Sequence, residues 1–548
     1  MSQPNQTWRS IVEPLSFELV SYPSITDSEG ERQFASELLT VLRRIPYFEK
    51  NPDHLWFEPI ADDPFNRRNV FALVKGAGVR TVLLTGHYDT VSTSNYGDLE
   101  AYALEPGILT QKLIEELSTS NASVNQQLAL DDLKSGEFIP GRGLLDMKSG
   151  LAVGIAMLKT FAEKEAAPGN LLFIASPDEE RFSYGMREAS QRLPAIAQKH
   201  QLNYQACINL DSSSDQGNGS QGQSIYLGSV GKPLTSVFIS GQDTHAGEPL
   251  AGINPHFLAS FVTQTIESNP ELSDVFQGEY APPPTLLKQT DLKEHYDVTT
   301  PATVWAMYNV LTHGKKAEQV LEDFKNLTQV ALDKALYELN TRAKIFAEQR
   351  ELPVKHLARQ ARVMHFAELK EYVFAYSSAE FRTTFKAYQQ SLIDANLDAP
   401  MQNQKLTDYL WQASGLIGPA AIIGFASLHY PCVSTEQSSY PQLVDKLRNV
   451  AEGVSKSHNT SICLKPFFSG ISDMSWLGKH DEKDLATVNQ NTPSEQMNLS
   501  ANTLNIPTLN IGPWGRDYHK KLERIHAPYS FEILPELVWQ CCQEIIKH

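Results

Sequence analysis

The sequence predicts an α/β protein: a mainly parallel sheet covered by helices, interrupted by an inserted two-layer α+β lid that carries an extra helical elaboration. Three observations predict it. Apolar runs at 81–85 (TVLLT), 171–175 (LLFIA) and 204–210 (YQACINL) alternate with helical stretches, as parallel strands do with their crossover helices. Each run ends at once in a histidine or an acidic residue: His87 and Asp89, Glu179 and Glu180, and Asp211. The pattern changes after Ser229 and regains α/β character near residue 436, so the domain divisions are expected at 1–229, 230–435 (helical insertion about 315–398) and 436–548.

In chain order, residues 7–20 read as a helix, with Trp8, Ile11, Leu15, Phe17 and Leu19 as its apolar set. Ser28, with Glu31 three residues on, reads as a capping box for a helix over 29–44. Residues 70–75 (VFALVK) form a strand, and the short Gly-containing turn at 76–78 predicts a hairpin with 81–85. Residues 92–138 look polar and irregular, with one helical piece at 110–117: an excursion over the surface near the site. GRGLLDMKSG at 141–150 reads as a loop opening a helix over 150–161. In the inserted segment, strands are expected at 234–240 and 304–311. Helices are expected at 255–266 and 319–346, over much of 354–392, and at 405–414. The final part reads as a helix at 443–454, a loop at 467–474 (FFSGISDM), a strand at 506–511 and a helix at 535–547.

Bulk properties narrow the function. At 548 residues the chain exceeds what one core usually serves. The balance of 47 basic and 64 acidic residues, −17 net, argues against nucleic-acid binding, which needs a basic surface, and leaves carboxylates for a cation. Five cysteines without a C-x-x-C pair predict no disulfide framework and fit a reducing cytoplasm. No signal peptide is evident at the N-terminus, and no apolar run of about 18 residues predicts a membrane span.

The chemistry gathers at the strand ends, where functional groups of parallel sheets sit. Side chains two apart on an extended chain point the same way, so His87 can meet a metal while Asp89 accepts from its other ring nitrogen. Asp146 at the Gly-rich turn adds a further carboxylate. Taken singly, Asp146 could be a helix N-cap, and Glu179 and Glu180 a solvated first helical turn.

At these positions, and through GHYDT, GRGLLDMKSG, SPDEE, NLD, DTHAG and GPWGRDYHKKLERIHAPYS, the chain resembles the dinuclear-zinc exopeptidases and deacylases. That family includes acetylornithine deacetylase, succinyl-diaminopimelate desuccinylase, glutamate carboxypeptidase and aminoacylase. YDVTTP and the GPWGRDYH ending are similar to a subgroup tied to bacterial arginine utilisation. The resemblance implies two divalent ions, zinc foremost, with cobalt or manganese as alternatives. It makes Asp146 the bridge, with His87 and Asp211 on one ion and Glu180 and His526 on the other. His519 is the near rival of His526; the HAPYS context after the histidine favours His526. Asp89 would orient His87, Glu179 would be the general base, and His245 of DTHAG would stabilise the oxyanion. The implied substrate is a small N-acyl amino acid or peptide, cut at a C–N amide bond, with a homodimer through the lid. A non-catalytic relative that binds a metabolite or a protein is the alternative. Many relatives hold the substrate carboxylate with a lid Arg; here TTPATVWAMYNVLTHGKK has none, and offers Asn309, His313, Lys315 and Lys316.

Overall fold

The computed structural model describes residues 7–119, 123–164, 166–215, 217, 222–276, 278–293, 295–354, 357–436, 439–468, 470–501 and 504–547. Small parts of the expected excursion (120–122), second helical region (355–356) and 467–474 loop (469) lie outside these residues. The chain forms two compact units: Met1–Ser229 with Val433–Lys479 and Asn502–His548, and Val230–Cys432 with His480–Ala501. The return expected over 436–548 is therefore interrupted. Helix Glu482–Asn491 packs on the long helix Ala317–Gln349 of the second unit. Its Val488 joins that unit's core, and Ala317 N donates to Asp484 Oδ1 at 2.7 Å.

The first unit is built on an eight-stranded sheet. Its strands are β1 (Leu55–Pro59), β2 (Arg68–Lys75), β3 (Ala77–His87), β4 (Pro168–Ser176), β5 (Asn203–Asn209), β6 (Ser224–Tyr226), β7 (Cys463–Lys465) and β8 (Thr508–Asn510). They lie in the order β1-β2-β4-β3-β5-β8-β6-β7. β4 and β5 flank β3 and run parallel to it, so their three carboxyl ends share one edge. β8 continues parallel to β5, whereas β1, β2 and β4 pair antiparallel. Val70–Val74, Val82–Leu84 and Leu171–Ala175 are almost wholly buried, the continuous apolar pattern of strands covered on both faces. Helices Trp8–Ser21, Ser149–Ala162 and Leu534–Ile546 pack together in this core.

The expected hairpin between β2 and β3 does not form, because β4 lies between them. The turn itself is bonded to the start of β4: Gly76 N donates to Gly169 O at 2.9 Å and Ala77 N to Ala167 O at 2.7 Å. A Cβ at Gly76 would lie 2.1 Å from Ala167 O, so only glycine fits this close approach. The capping box at Ser28 is half realised. Ser28 Oγ accepts from Glu31 N at 3.2 Å, but the Glu31 carboxylate accepts instead from Asp27 N and Asp178 N.

The 92–138 excursion is more ordered than expected. It holds a 3-10 segment, Ser94–Tyr102, and helices Pro106–Thr119 and Val124–Ser135, closed over a small core of Leu109, Leu113, Leu117, Leu130 and Leu133. Its apolar residues form a short stripe on each helix, so its composition stays polar.

In the second unit, strands Thr285–Asp291, Thr303–Asn309, Thr235–Ser240, Ala420–Phe425 and Arg362–His365 form a sheet in that order. Helices Pro255–Ile266 and Ala317–Gln349 share its main core. The expected 354–392 helical region opens instead on strand Arg362–His365, which pairs with Ala420–Phe425 before helices Phe366–Tyr376 and Ala379–Asp394 begin. No helix among the described residues is long and apolar enough to cross a membrane.

Candidate metal centre

The shared edge of β3, β4 and β5 gathers the residues expected there. His87 closes β3, and its Nε2 lies 3.3 Å from Asp146 Oδ1, 3.6 Å from Asp211 Oδ1 and 3.9 Å from Glu179 Oε2. Glu179 and Glu180 follow β4, and Asp211 follows β5. Asp146 comes from the turn before helix Ser149–Ala162. Gly143 opens that turn at φ 72°, and a Cβ there would meet Thr90 Cγ2 at 2.5 Å. One donor atom each from His87, Asp146 and Glu180 fall within 4.8 Å of one another.

The second oxygen of Asp146 faces another imidazole. Asp146 Oδ2 is 2.9 Å from His519 Nε2, and the same nitrogen is 3.1 Å from Glu180 Oε1. The structure thus sets His519, rather than the expected His526, against these carboxylates. The His526 ring is wedged between Phe138 and Trp514, with centroids 4.9 and 4.7 Å away. Its Nδ1 accepts from Tyr529 N at 3.3 Å, and among the described residues its closest carboxylate is Glu137 at 3.9 Å. Burial, assisted by Arg516, lowers the His526 pKa to about 4, the condition of a neutral packing histidine.

Electrostatics mark the same cluster. Burial pushes the Glu179 carboxyl well above its ordinary range; Asp211, Glu180 and Asp473 add to it, while His87 opposes it. Glu180 and Asp211 are also raised, again by burial first. Burial opposes ionisation of Asp146 too, but hydrogen bonds from His519 and His87 outweigh it and hold this carboxyl well below the usual range. His519 is pushed up to about 11 because Asp146 and Glu180 overcome its burial. Among the described residues, the ion-pair partners of Asp146, Glu180 and Asp211 are histidines alone. Four carboxylates against two imidazoles, with nitrogen and oxygen donors only, is a donor set that fits divalent cations.

Asp89 is fully buried and stands behind this cluster. Its Oδ1 accepts from Glu179 N at 3.1 Å and its Oδ2 from Glu180 N at 3.2 Å, so one carboxylate fixes the turn bearing both glutamates. His87 Nδ1 donates to the Asp89 carbonyl at 3.0 Å, which leaves Nε2 facing Asp146. The early SYPSIT segment fixes Asp89 in turn: Ser24 Oγ donates to Tyr88 O, and Thr26 Oγ1 to Asp89 Oδ2.

Sequence reasoning missed several residues near the site. Arg67, 1 % exposed, pairs with Asp63 and Asp178 at 2.7 Å and with Glu31 at 3.2 Å, and Asp178 precedes Glu179. Asp473, buried at the start of the short 3-10 helix Asp473–Trp476 that follows β7, accepts from Ser176 Oγ at 2.8 Å; burial pushes its carboxyl to about 7. Nothing in their local sequence marks Arg67 or Asp473, since both are brought in by long-range packing. His245 lies in the second unit, exposed, with its Nδ1 accepting from Gly247 N at 3.0 Å.

Comparison with known proteins places this geometry. Residues 125–501 match the model of peptidase family M20/M25/M40. Protein RocB of Bacillus subtilis (strain 168) is 31 % identical over 98 % of the chain and 95 % of RocB itself. The chain belongs to the M20/M25/M40 peptidase family. As a member of the M20 family it is a hydrolase of the metallopeptidase type, and it is RocB-like along nearly its whole length. An uncharacterised protein of the same bacterium, YqjN, is 33 % identical over 96 % of the chain and 95 % of YqjN. Succinyl-diaminopimelate desuccinylase 2 of Shewanella loihica is 32 % identical over 25 % of the chain and 36 % of that enzyme. A solved tripeptidase from Staphylococcus aureus shares the fold at TM-score 0.52 and 14 % identity, covering 99 % of this chain and 100 % of the other. Human carnosine dipeptidase 1 does so at 0.51 and 11 %, covering 98 % and 97 %. The M20 fold agrees with the α/β class expected from the sequence.

Proposed function

We propose that this M20-family chain hydrolyses the C–N amide bond of a small N-acyl amino acid or short peptide, with Glu179 as general base beside two divalent ions. One observation carries the dinuclear reading: the two oxygens of Asp146 face two different imidazoles, His87 at 3.3 Å and His519 at 2.9 Å. Asp146 would lie between the two, with His87 and Asp211 as the residues that would hold one ion and Glu180 and His519 those that would hold the other. When bound, such ions polarise a carbonyl and lower the pKa of a water.

The chain's own residues do the rest. Glu179 lies 3.9 Å from His87 Nε2, within the cluster, where a carboxylate can take a proton from water and pass it to a leaving amine. Asp89 holds Glu179 and Glu180 in register through their backbone N–H groups. His245, whose Nδ1 accepts from Gly247 N, is the residue we assign to the oxyanion, through Nε2. Zinc is the metal proposed, with cobalt or manganese as alternatives, and a homodimer through the second unit and a cytoplasmic setting complete the reading.

The test is a hydrolysis screen of dipeptides and N-acyl amino acids with added zinc, cobalt or manganese. N-acyl arginine and N-acyl ornithine belong in it, because an arginine or ornithine link is part of the proposal. Glu179→Gln is expected to keep its metal and to lose about 10²–10⁴-fold in kcat. Turnover equal to that of the unsubstituted protein would remove Glu179 from the mechanism.

A further inference from the structure

We infer that the described parts of the 92–138 excursion, residues 94–119 and Val124–Ser135, form a clamp that holds His519 in its ligating position. The inference rests on the reading of His519 as a metal ligand given above.

The reason a clamp is needed lies in the backbone. His519 has φ 64° and Asp517 φ 56°, both in the left-handed region that non-glycine residues rarely adopt. Such residues persist only where their surroundings over-determine them. The turn between strands Trp514–Arg516 and Arg524–His526 has few apolar residues of its own to do this.

The excursion supplies what the turn lacks, at separated points. Asn95 Nδ2 donates to the His519 carbonyl at 2.8 Å, and Asn95 Oδ1 accepts from Arg142 Nη2 at 2.9 Å. Arg142 pairs with Glu523, both essentially unexposed, and Glu523 accepts from His519 N at 3.3 Å. The His519 peptide groups are thus held at both N–H and C=O. Farther along the excursion, buried Asp132 accepts from Arg516 at 2.6 Å and from Arg524 Nε at 2.8 Å, the strand residues on either side of the turn. Arg524 also pairs with the left-handed Asp517 at 2.7 Å. Leu522 packs against the excursion's own core. Glu523 further accepts from Gly143 N at 3.0 Å, so the clamp sets His519 against the turn bearing Asp146.

Asn95 and Asp132 are therefore positioning residues: they touch neither donor atom of the centre and act through the backbone that presents one. The experiment is a zinc titration of metal-depleted protein against a chromophoric chelator, with far-UV circular dichroism of each metal-free variant. The unsubstituted protein is expected to show two binding events. His519→Ala should lose one of them. Asn95→Asp keeps the acceptor for Arg142 but loses the donor to His519, and Asp132→Asn loosens both arginines. Each should weaken the event lost in His519→Ala by about 10–100-fold, the usual cost of removing a residue that orients a ligand, and leave the other within threefold. If His519→Ala loses an event while Asn95→Asp keeps both within threefold, the clamp is refuted and the ligand reading stands. If His519→Ala keeps both events, the ligand reading falls and the clamp with it. Asn95 is exposed, so its variant decides the matter should Asp132→Asn fail to fold.

Discussion

Replacing His526 by phenylalanine separates a packing histidine from a ligand. The ring stands between Phe138 and Trp514 at 4.9 and 4.7 Å, and phenylalanine keeps that aromatic packing. What is lost is the hydrogen bond from Tyr529 N at 3.3 Å, worth about 1 kcal/mol. What is also lost is a titration. The pKa of His526 is lowered from 6.5 to about 4 in the folded protein, so between those values the unfolded chain binds a proton that the folded chain does not. Stability contributed by the neutral ring is present above about pH 6.5 and falls as pH drops toward 4. From these two values the part lost by pH 5 is about 2 kcal/mol, and by pH 4 about 3 kcal/mol.

His526→Phe is therefore expected to be slightly less stable than the parent at pH 7.5 and more stable at pH 5. Urea unfolding of the chelator-treated proteins across this range, followed by tryptophan fluorescence, reads the crossing directly. Metal content after dialysis should equal that of the parent. Parallel pH profiles would refute the neutral packing role, and a variant stripped of one ion would restore His526 as a ligand.

Asp89→Asn replaces an acceptor of two backbone N–H groups by an amide that can satisfy one of them. The expected result is retained metal, a kcat lower by about 10–100-fold and stability lower by about 1–3 kcal/mol, read by kinetics and denaturation. An unaltered kcat would mean that the Glu179 turn is held by other contacts. Arg67→Met leaves Asp63, Glu31 and Asp178 without their buried cation, and burial with the nearby Asp89 already pushes Glu31 to about 9. A loss of about 3–5 kcal/mol is expected, and an unchanged urea midpoint would argue against it. Chelator added to protein purified with zinc should lower the thermal midpoint, since binding to the folded state alone stabilises it; an unmoved midpoint with the metal removed would mean that the centre contributes little to the fold.

How much of this was legible in the sequence depended on range. β3, β4 and β5 are continuous apolar runs that stop at polar residues, and such runs announce both a buried strand and the edge where its chemistry begins. Their adjacency puts His87, Glu179, Glu180 and Asp211 together with no further information than parallel pairing. The hairpin error has the same origin. A short Gly turn predicts neighbours, but Gly76 and Ala77 spend their N–H groups on Gly169 and Ala167, and only the fold reveals that β4 enters there. The excursion was misread because its two helices bury narrow apolar stripes against each other, and the composition of a thin layer is dominated by its wet side.

The difference between His519 and His526 is more instructive, because the local sequence pointed to the ring that the fold places away from the carboxylates. His526 sits on a strand, Arg524–His526, where a side chain has a fixed direction, and that direction leads into the aromatic pair. His519 sits in the turn, where a left-handed backbone re-aims the ring toward Asp146 and Glu180. A positive φ at histidine has no signature in composition or spacing. It is stable here because Glu523 and Asn95, 4 residues and 424 residues away in the chain, accept and donate at its two peptide groups. The placement of His519 beside Asp146 and Glu180 is thus encoded in the partners of the turn rather than in the turn itself.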